Sequence, residues 1–204
     1  RVSVPLFASF NSAKNFAISK MNWIKKHISK IEKIKSQVTI FKPGVKFNTK
    51  FSTIQFKFSS IEKFQSIQIN NIVEILIPDH FDVKDSDTQL IIRKEIEKIL
   101  RKEAKKHLPN RVDYFAKKHQ FNYNKITIKN SKTRWGSCSN TNNINLNLHL
   151  MRLSDNLIDY VVLHELVHTK IKNHQKEFWD LLDIVSGDAK GLDKELKKHH
   201  IHMY

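Results

Sequence analysis

The chain has few of the residues on which disulfide frameworks, flexible linkers and membrane spans depend. Only one cysteine occurs in 204 residues, which excludes an internal disulfide and favours a reducing compartment. Glycine and proline number four each, and no stretch has the composition of a linker. No run of about 18 apolar residues is present, so the sequence predicts no transmembrane helix. We therefore expect a cytoplasmic protein that does not enter a membrane.

The residue in excess is lysine. Lysine supplies 30 of the 36 basic residues, against 20 acidic residues, and the formal net charge is +16. A basic surface supports weak, salt-sensitive contact with phosphates, but no nucleic-acid-binding module is recognisable. We therefore expect no specific nucleic-acid partner. Hydrophobic residues make up 40% of the chain, which is enough for one compact enzyme domain or for two lobes.

Residues 164–168 read His-Glu-Leu-Val-His and have the spacing of a metal-binding helix. At about 100° per residue, His164 and His168 lie about 40° apart on one helical face, so both imidazoles can reach one metal ion. Glu165 is offset by about 60° from His168 and can border the metal without binding it. A zinc ion with three protein ligands keeps one position open for water, whose proton a glutamate can accept. The segment therefore predicts a zinc-dependent hydrolase.

Several residues can supply the third ligand. The helix is apolar on almost every side, and histidines inside it are costly to bury unless they bind a metal or a partner. His174 follows His168 by six residues, and residues 169–173 are enough to reverse the chain and return it to the first two histidines. We favour His174, at the start of a second helix over residues 174–186. The alternatives are Glu177, His149 and the C-terminal group of His199, His200 and His202.

A series of short motifs accompanies this segment. They are Thr133-Arg-Trp-Gly-Ser-Cys-Ser139, Ile144-Asn-Leu-Asn147, Ile158-Asp-Tyr-Val161, Asn173-His174 and Phe178-Trp179. In these motifs the chain resembles the YgjP-like metallopeptidase family, which is related in its metal site to the SprT-like and WLM zinc proteases. The resemblance is dense over residues 125–182. It implies a zincin-type fold and one zinc ion, with His164, His168 and His174 as ligands and Glu165 as catalytic base.

The order of predicted elements favours an α+β fold. We expect an N-terminal lobe of strand, helix and hairpin over residues 1–84, with its first strand at Val2–Pro5. A zincin-like lobe with a mixed or antiparallel sheet and the metal helix follows over residues 85–204, and the two lobes can form one compact domain.

Two local signals give further detail. Asn70-Asn71 separates two apolar segments and predicts a two-residue hairpin turn. The pattern over residues 86–108 predicts a long helix that Pro109 ends, with a second short helix over residues 111–119.

The strand before the metal helix is expected to lie along the active-site cleft. We assign Asn143–Leu148 to this place, where an extended substrate can pair with a free strand edge. Asn145 and Asn147 share one face of that strand and are candidates for substrate contact. The alternative for both is a solvated strand face.

Three residues of the Thr133–Ser139 motif have more than one interpretation. Arg134 is a candidate oxyanion stabiliser, or else forms a structural contact with a carboxylate such as Asp159. Trp135 is a candidate wall of the substrate pocket, or else a core residue. We interpret Cys138 as a small residue packed beneath the site, with a nucleophile or a fourth zinc ligand as the alternatives.

Three functions are compatible with these patterns. We favour a zinc-dependent metallopeptidase that hydrolyses a peptide or protein substrate. A zinc hydrolase acting on a nucleotide phosphoanhydride is the second, because Glu165 and the metal serve both chemistries. A DNA-associated zinc protease or binding module is the third, and the intact His-Glu-x-x-His motif argues against a simple binding module, which has no need of Glu165.

Overall fold

The computed structural model describes Pro5, residues 9–35 and residues 39–201. The chain divides into one compact unit of residues 1–39 with 203–204, and another of residues 40–202. In the first unit, helix α1 spans Phe10–Ser19 and helix α2 spans Met21–Lys35. The strand expected at Val2–Pro5 falls mostly outside the described residues. The boundary expected at residue 84 lies inside the second unit, whose division into two lobes stays a prediction.

The second unit begins with a four-stranded mixed sheet in the order β1-β2-β4-β3. Its strands are β1 Lys46–Asn48, β2 Thr53–Ser59, β3 Gln65–Ile69 and β4 Ile72–Pro78. β2 and β4 run parallel, and β3 returns antiparallel on β4 through the predicted turn, in which Asn70 has a φ of 56°. Asparagine tolerates this left-handed conformation, so the hairpin prediction is confirmed. Alternate residues of β2 and β4, among them Ile54 and Ile75, are fully buried on one face.

A single helix, α3, spans Ser86–His119. The prediction that Pro109 ends this helix is wrong, because Pro109 lies inside it. A proline in a helix interior removes one backbone hydrogen bond and disfavours the preceding turn. Here Leu108 and Val112 are fully buried on either side of the proline, and this packing continues the helix through it.

A second sheet of three strands carries the functional site, in the order β5-β7-β6. Its strands are β5 Lys125–Lys129, β6 Gly136–Cys138 and β7 Asn143–Asn147. β7 pairs parallel with β5 on one side and antiparallel with β6 on the other. The assignment of Asn143–Leu148 to a free edge is therefore wrong, since both edges of β7 are occupied. The outer strands of this sheet are β5 and β6.

Three α-helices complete the unit after a 3₁₀ helix at Leu148–Arg152. They are α4 Asp155–Val167, α5 Lys176–Ser186 and α6 Ala189–Leu196. The predicted metal helix is α4, and α6 was not expected from the sequence. The mixture of helices and mixed sheets confirms the α+β class. No helix among the described residues is both long enough and apolar enough to span a membrane.

Candidate metal centre

Helix α4 holds the His-Glu-x-x-His segment against the core. Most of its residues are buried, including Val161, Val162 and Leu166, because the helix packs against α3 and the second sheet. A bidentate ion pair joins α3 to α4: Arg111 Nε donates to Asp159 Oδ1 at 2.8 Å and Nη2 donates to Oδ2 at 2.6 Å. His164 and Glu165 lie in the last turn of α4, and His168 caps its C-terminus.

The loop between α4 and α5 returns His174 to the two helix histidines. It begins with two tight turns, in which the Thr169 N–H donates to the Leu166 carbonyl at 2.9 Å and the Ile171 N–H donates to the Val167 carbonyl at 2.9 Å. The chain reversal expected over residues 169–173 is present. His174 differs from the expectation in one respect, because α5 begins at Lys176 and His174 precedes it.

The three imidazoles converge on one point. His174 Nε2 lies 3.1 Å from His168 Nε2 and 3.2 Å from His164 Nε2. Zinc held tetrahedrally at about 2.0–2.1 Å places its nitrogen ligands about 3.3 Å apart. The two distances from His174 Nε2 to the other imidazole nitrogens are therefore close to those expected around a zinc ion. No other group of three His, Cys, Asp or Glu residues within the described ranges has this convergence.

The ring of His168 has a defined tautomer. Its Nδ1 lies 2.9 Å from the carbonyl oxygen of Ile171, and because a carbonyl only accepts, Nδ1 must carry the proton. The lone pair is then on Nε2, which faces His174. A second hydrogen bond of this kind orients most metal-binding histidines.

Phe178 of α5 is the residue around which the three rings pack. It is fully buried, and its ring centroid lies 4.9 Å from that of His164, 4.5 Å from that of His168 and 4.6 Å from that of His174. The ring limits the rotation of all three imidazoles. Phe178 was noted in the sequence only as part of a motif, although its position four residues after His174 indicates that the two side chains can touch.

Burial keeps the helix histidines neutral. It lowers the pKa of His164 to about 3, with smaller contributions from His168 and His174. It also lowers the pKa of His168, partly offset by the hydrogen bond to Ile171. Neutral imidazoles are the form that binds a metal ion.

Glu165 is buried beside the histidines, and one of its oxygens, Oε2, has no hydrogen-bond partner. Burial raises the pKa of this carboxyl to about 8, and the positive charge of Arg134 opposes the shift. A divalent cation at the adjacent imidazoles favours the ionised carboxylate. The unpartnered oxygen and the three imidazole nitrogens together fit a metal centre with an adjacent base.

Gly136 of β6 gives Glu165 its space. A Cβ atom built on Gly136 would lie 2.5 Å from Glu165 Oε1 and 2.8 Å from its Cγ. Only glycine fits this approach between strand and helix. Sequence reasoning did not assign Gly136 a role, although a glycine inside a strand in a chain with four glycines is a signal of close approach.

The other predicted site residues lie next to β6. Arg134, Trp135 and Asn145 line a cavity of about 360 Å³ beside the strand. Asn147 lines the same cavity but is almost fully buried. Its amide nitrogen donates to the carbonyls of Ser131 at 2.8 Å and Arg134 at 2.9 Å, and its oxygen accepts from the His149 N–H. These bonds shape the loop before β6. Arg134 does not bind Asp159, which is paired with Arg111.

The alternative ligands lie elsewhere. Glu177 is exposed on α5, outside the histidine cluster. His149 is fully buried, with Nε2 3.0 Å from Asn130 Oδ1. His199 lies 4.0 Å from Glu195, His200 is exposed, and His202 lies outside the described residues.

Cys138 is half-buried on β6, and its Sγ is not part of the cluster. Burial raises the pKa of its thiol, and the Lys172 ammonium, 3.8 Å away, opposes the shift. A raised thiol pKa disfavours the thiolate that a nucleophile or a zinc ligand requires. The packed small residue expected from the sequence agrees with this environment.

A buried His-Glu-x-x-His helix with a third histidine close by defines a metal-dependent hydrolase. The chain belongs to the YgjP-like metallopeptidases, since the family model for the YgjP-like metallopeptidase domain matches residues 1–199. The resemblance found in the sequence motifs is thereby confirmed. No curated protein shows a significant match to this chain.

Two crystal structures of metallopeptidase zymogens are similar to part of the chain. Abylysin from Pyrococcus abyssi is 20% identical, with 45% of this chain and 92% of abylysin covered and a TM-score of 0.41. Jannalysin from Methanocaldococcus jannaschii is 26% identical, with 45% of this chain and 94% of jannalysin covered and a TM-score of 0.40.

Proposed function

We propose that this chain hydrolyses peptide bonds with one zinc ion held by His164, His168 and His174, and with Glu165 as general base. The observation that carries the proposal is the convergence of three imidazoles beside a buried carboxylate, in which His174 Nε2 lies 3.1 Å from His168 Nε2 and 3.2 Å from His164 Nε2. Imidazole nitrogens suit zinc, and three protein ligands leave a position for water or substrate. Membership of a metallopeptidase family selects the peptide bond over a phosphoanhydride.

Each residue has a distinct part in the reaction. A zinc ion held by the three histidines would supply a Lewis acid for the scissile carbonyl and for an attacking water. Glu165 would accept the proton from that water through its unpartnered oxygen and then deliver it to the leaving amine. Gly136 leaves room for the carboxyl group beside the histidines, and Phe178 limits the rotation of the three imidazoles.

We further propose that the substrate binds in extended form along β6. β6 is one of the two outer strands of its sheet, and it is the one whose Gly136 lies against Glu165. Backbone hydrogen bonds to this edge would align a peptide with its scissile carbonyl at the metal. Arg134, Trp135 and Asn145 would then contact substrate side chains. Asn147 is left out of this set because its amide already donates to two carbonyl groups of the loop before β6.

The single free cysteine favours a cytoplasmic site of action.

Replacing Glu165 by Gln tests this mechanism. We expect zinc content close to that of the wild type and peptidase activity reduced by about a thousandfold or more, because the amide cannot accept the proton from water. The control is Glu177→Gln, which changes a neighbouring exposed carboxylate and should retain both zinc and activity. Wild-type activity in Glu165→Gln would remove Glu165 from the mechanism.

A further inference from the structure

Strand β6 offers an open edge beside the candidate metal centre. Its Gly136, Ser137 and Cys138 pair with Leu146, Asn145 and Ile144 of β7 on one side. In the described part of the chain no strand pairs with the other side. In the proposed function, on which this inference rests, a peptide occupies this edge.

The two faces of β6 differ in what they present to such a peptide. The face that Gly136 shares with Ile144 and Leu146 is turned toward α4, because a Cβ on Gly136 would meet Glu165. Ser137 and Asn145 point to the opposite face, where Asn145 Nδ2 donates to Ser137 Oγ at 3.2 Å. Side chains of an added strand alternate in the same way. The residue opposite Gly136 therefore faces the catalytic side, and the residues next to it face Ser137.

Ser137 and Asn145 of this outer face both line the cavity of about 360 Å³. Two of the residues that line it, Lys129 and Arg134, are cationic and exposed, and none of its lining residues is acidic. Ser137 Oγ accepts a bond from Asn145, so its hydroxyl hydrogen is available to a ligand. The cavity therefore presents a guanidinium, an ammonium and a hydroxyl group, all of which donate hydrogen bonds.

We propose that this cavity is a specificity subsite that binds an acidic side chain, Asp or Glu, within two residues of the scissile bond. A carboxylate is the substrate group that accepts from several donors at once and balances their charge. A basic side chain would be repelled by Lys129 and Arg134. An aliphatic one would provide no charge to pair with either cation.

Matched peptides test the subsite. The two peptides of a pair differ only in carrying Glu or Gln at one position. The position is varied over the two residues before and the two residues after the scissile bond, and kcat/KM of the zinc-loaded enzyme is measured for each peptide. At one position we expect Glu to be preferred over Gln by about two- to fivefold, the range for an exposed ion pair. The preference should shrink at high ionic strength, since salt screens charges.

Two variants assign the preference to its residues. Arg134→Gln and Lys129→Met each remove one positive charge from the cavity, and the Glu-to-Gln ratio should fall toward one in both. Lys125→Met is the matched control, because Lys125 lies at the other end of β5 and does not line the cavity. A purely structural or oxyanion role for Arg134 would lower kcat/KM for both peptides of a pair equally and leave the ratio unchanged.

The outcomes separate this proposal from the proposed function. Metal-dependent cleavage with a ratio of one at every position, or a ratio that survives in both cavity variants, overturns the subsite and leaves the peptidase mechanism intact. If no peptide is cleaved, the proposed function fails. In that case, fluorescence anisotropy measures the binding of the same peptide pairs to Glu165→Gln. Tighter binding of the Glu peptides than of the Gln peptides supports the subsite, and equal binding overturns it.

Discussion

At the scale of single residues, the candidate site depends on how three histidines come together and on which atoms lie against the buried carboxyl group of Glu165. The spacing of His164 and His168 on a helix and the short loop to His174 predicted a cluster, and the described residues form one. The spaces around these residues depend on contacts between distant segments. Gly136 is 29 positions away from Glu165 in sequence, so nothing local indicates that the two touch.

The close approach of Gly136 to Glu165 makes a direct prediction. Gly136→Ala adds a methyl group that would lie 2.5 Å from Glu165 Oε1, so the carboxylate must move away. We expect kcat/KM to fall by about a hundredfold, the scale seen when a catalytic group is displaced by about 1 Å. Zinc content, measured by atomic absorption, should be unchanged, since the three atoms nearest to the added methyl group all belong to Glu165. Full activity in this variant would show that Glu165 does not need its present position.

At the scale of elements, regular patterns were predicted well and interruptions were not. The hairpin at Asn70-Asn71 follows from local turn preferences alone. Pro109 was expected to end α3, but local propensity was overridden by the packing of Leu108 and Val112. The position of β7 between two strands also escaped prediction, because strand order depends on pairing between segments rather than on the sequence of one strand.

The ion pair between α3 and α4 predicts a measurable contribution to stability. Arg111 and Asp159 form two parallel hydrogen bonds and are about one quarter exposed, at 29% and 24%. Arg111→Met should lower the free energy of unfolding by about 1–3 kcal/mol, because a part-buried carboxylate loses its partner. Lys176→Met is the control, since both side chains of the Lys176–Asp180 pair are exposed, at 88% and 59%, and an exposed pair contributes about 1 kcal/mol or less. Equal effects in urea denaturation would contradict this difference.

At the scale of the whole molecule, the order of predicted elements indicated the α+β class and the composition indicated a folded enzyme domain, but the net charge did not identify a partner. The net charge of +16 is spread over many lysines. The locations where charge has a consequence, such as Arg134 beside β6 and Glu103 in α3, depend on the tertiary structure.

Glu103 gives the whole molecule a pH-dependent stability. Burial raises the pKa of this carboxyl above its ordinary value of 4.5, opposed by hydrogen bonds from Thr49 and Ser52. A raised folded-state pKa contributes stability that is present below pH 4.5 and is lost as the pH rises through the folded-state value. Glu103→Gln removes this titration, so the variant should gain stability relative to the wild type as the pH rises above 4.5.

Urea denaturation between pH 4 and pH 8 measures this gain. Glu97→Gln on the same helix is the control, because Glu97 is more exposed than Glu103. A difference between Glu103→Gln and the wild type that does not change with pH would show that burial does not raise the pKa of Glu103 in the folded state.

The measurement that tests the central claim most directly is zinc-edge X-ray absorption spectroscopy of the purified protein, which counts the ligands of the metal. The account predicts one zinc ion per chain with three imidazole nitrogens at about 2.0–2.1 Å. One imidazole should be lost in His174→Ala, and all three should remain in Glu177→Ala. A sulfur ligand from Cys138, an unchanged set of imidazoles in His174→Ala, or no bound zinc in a folded sample would contradict it.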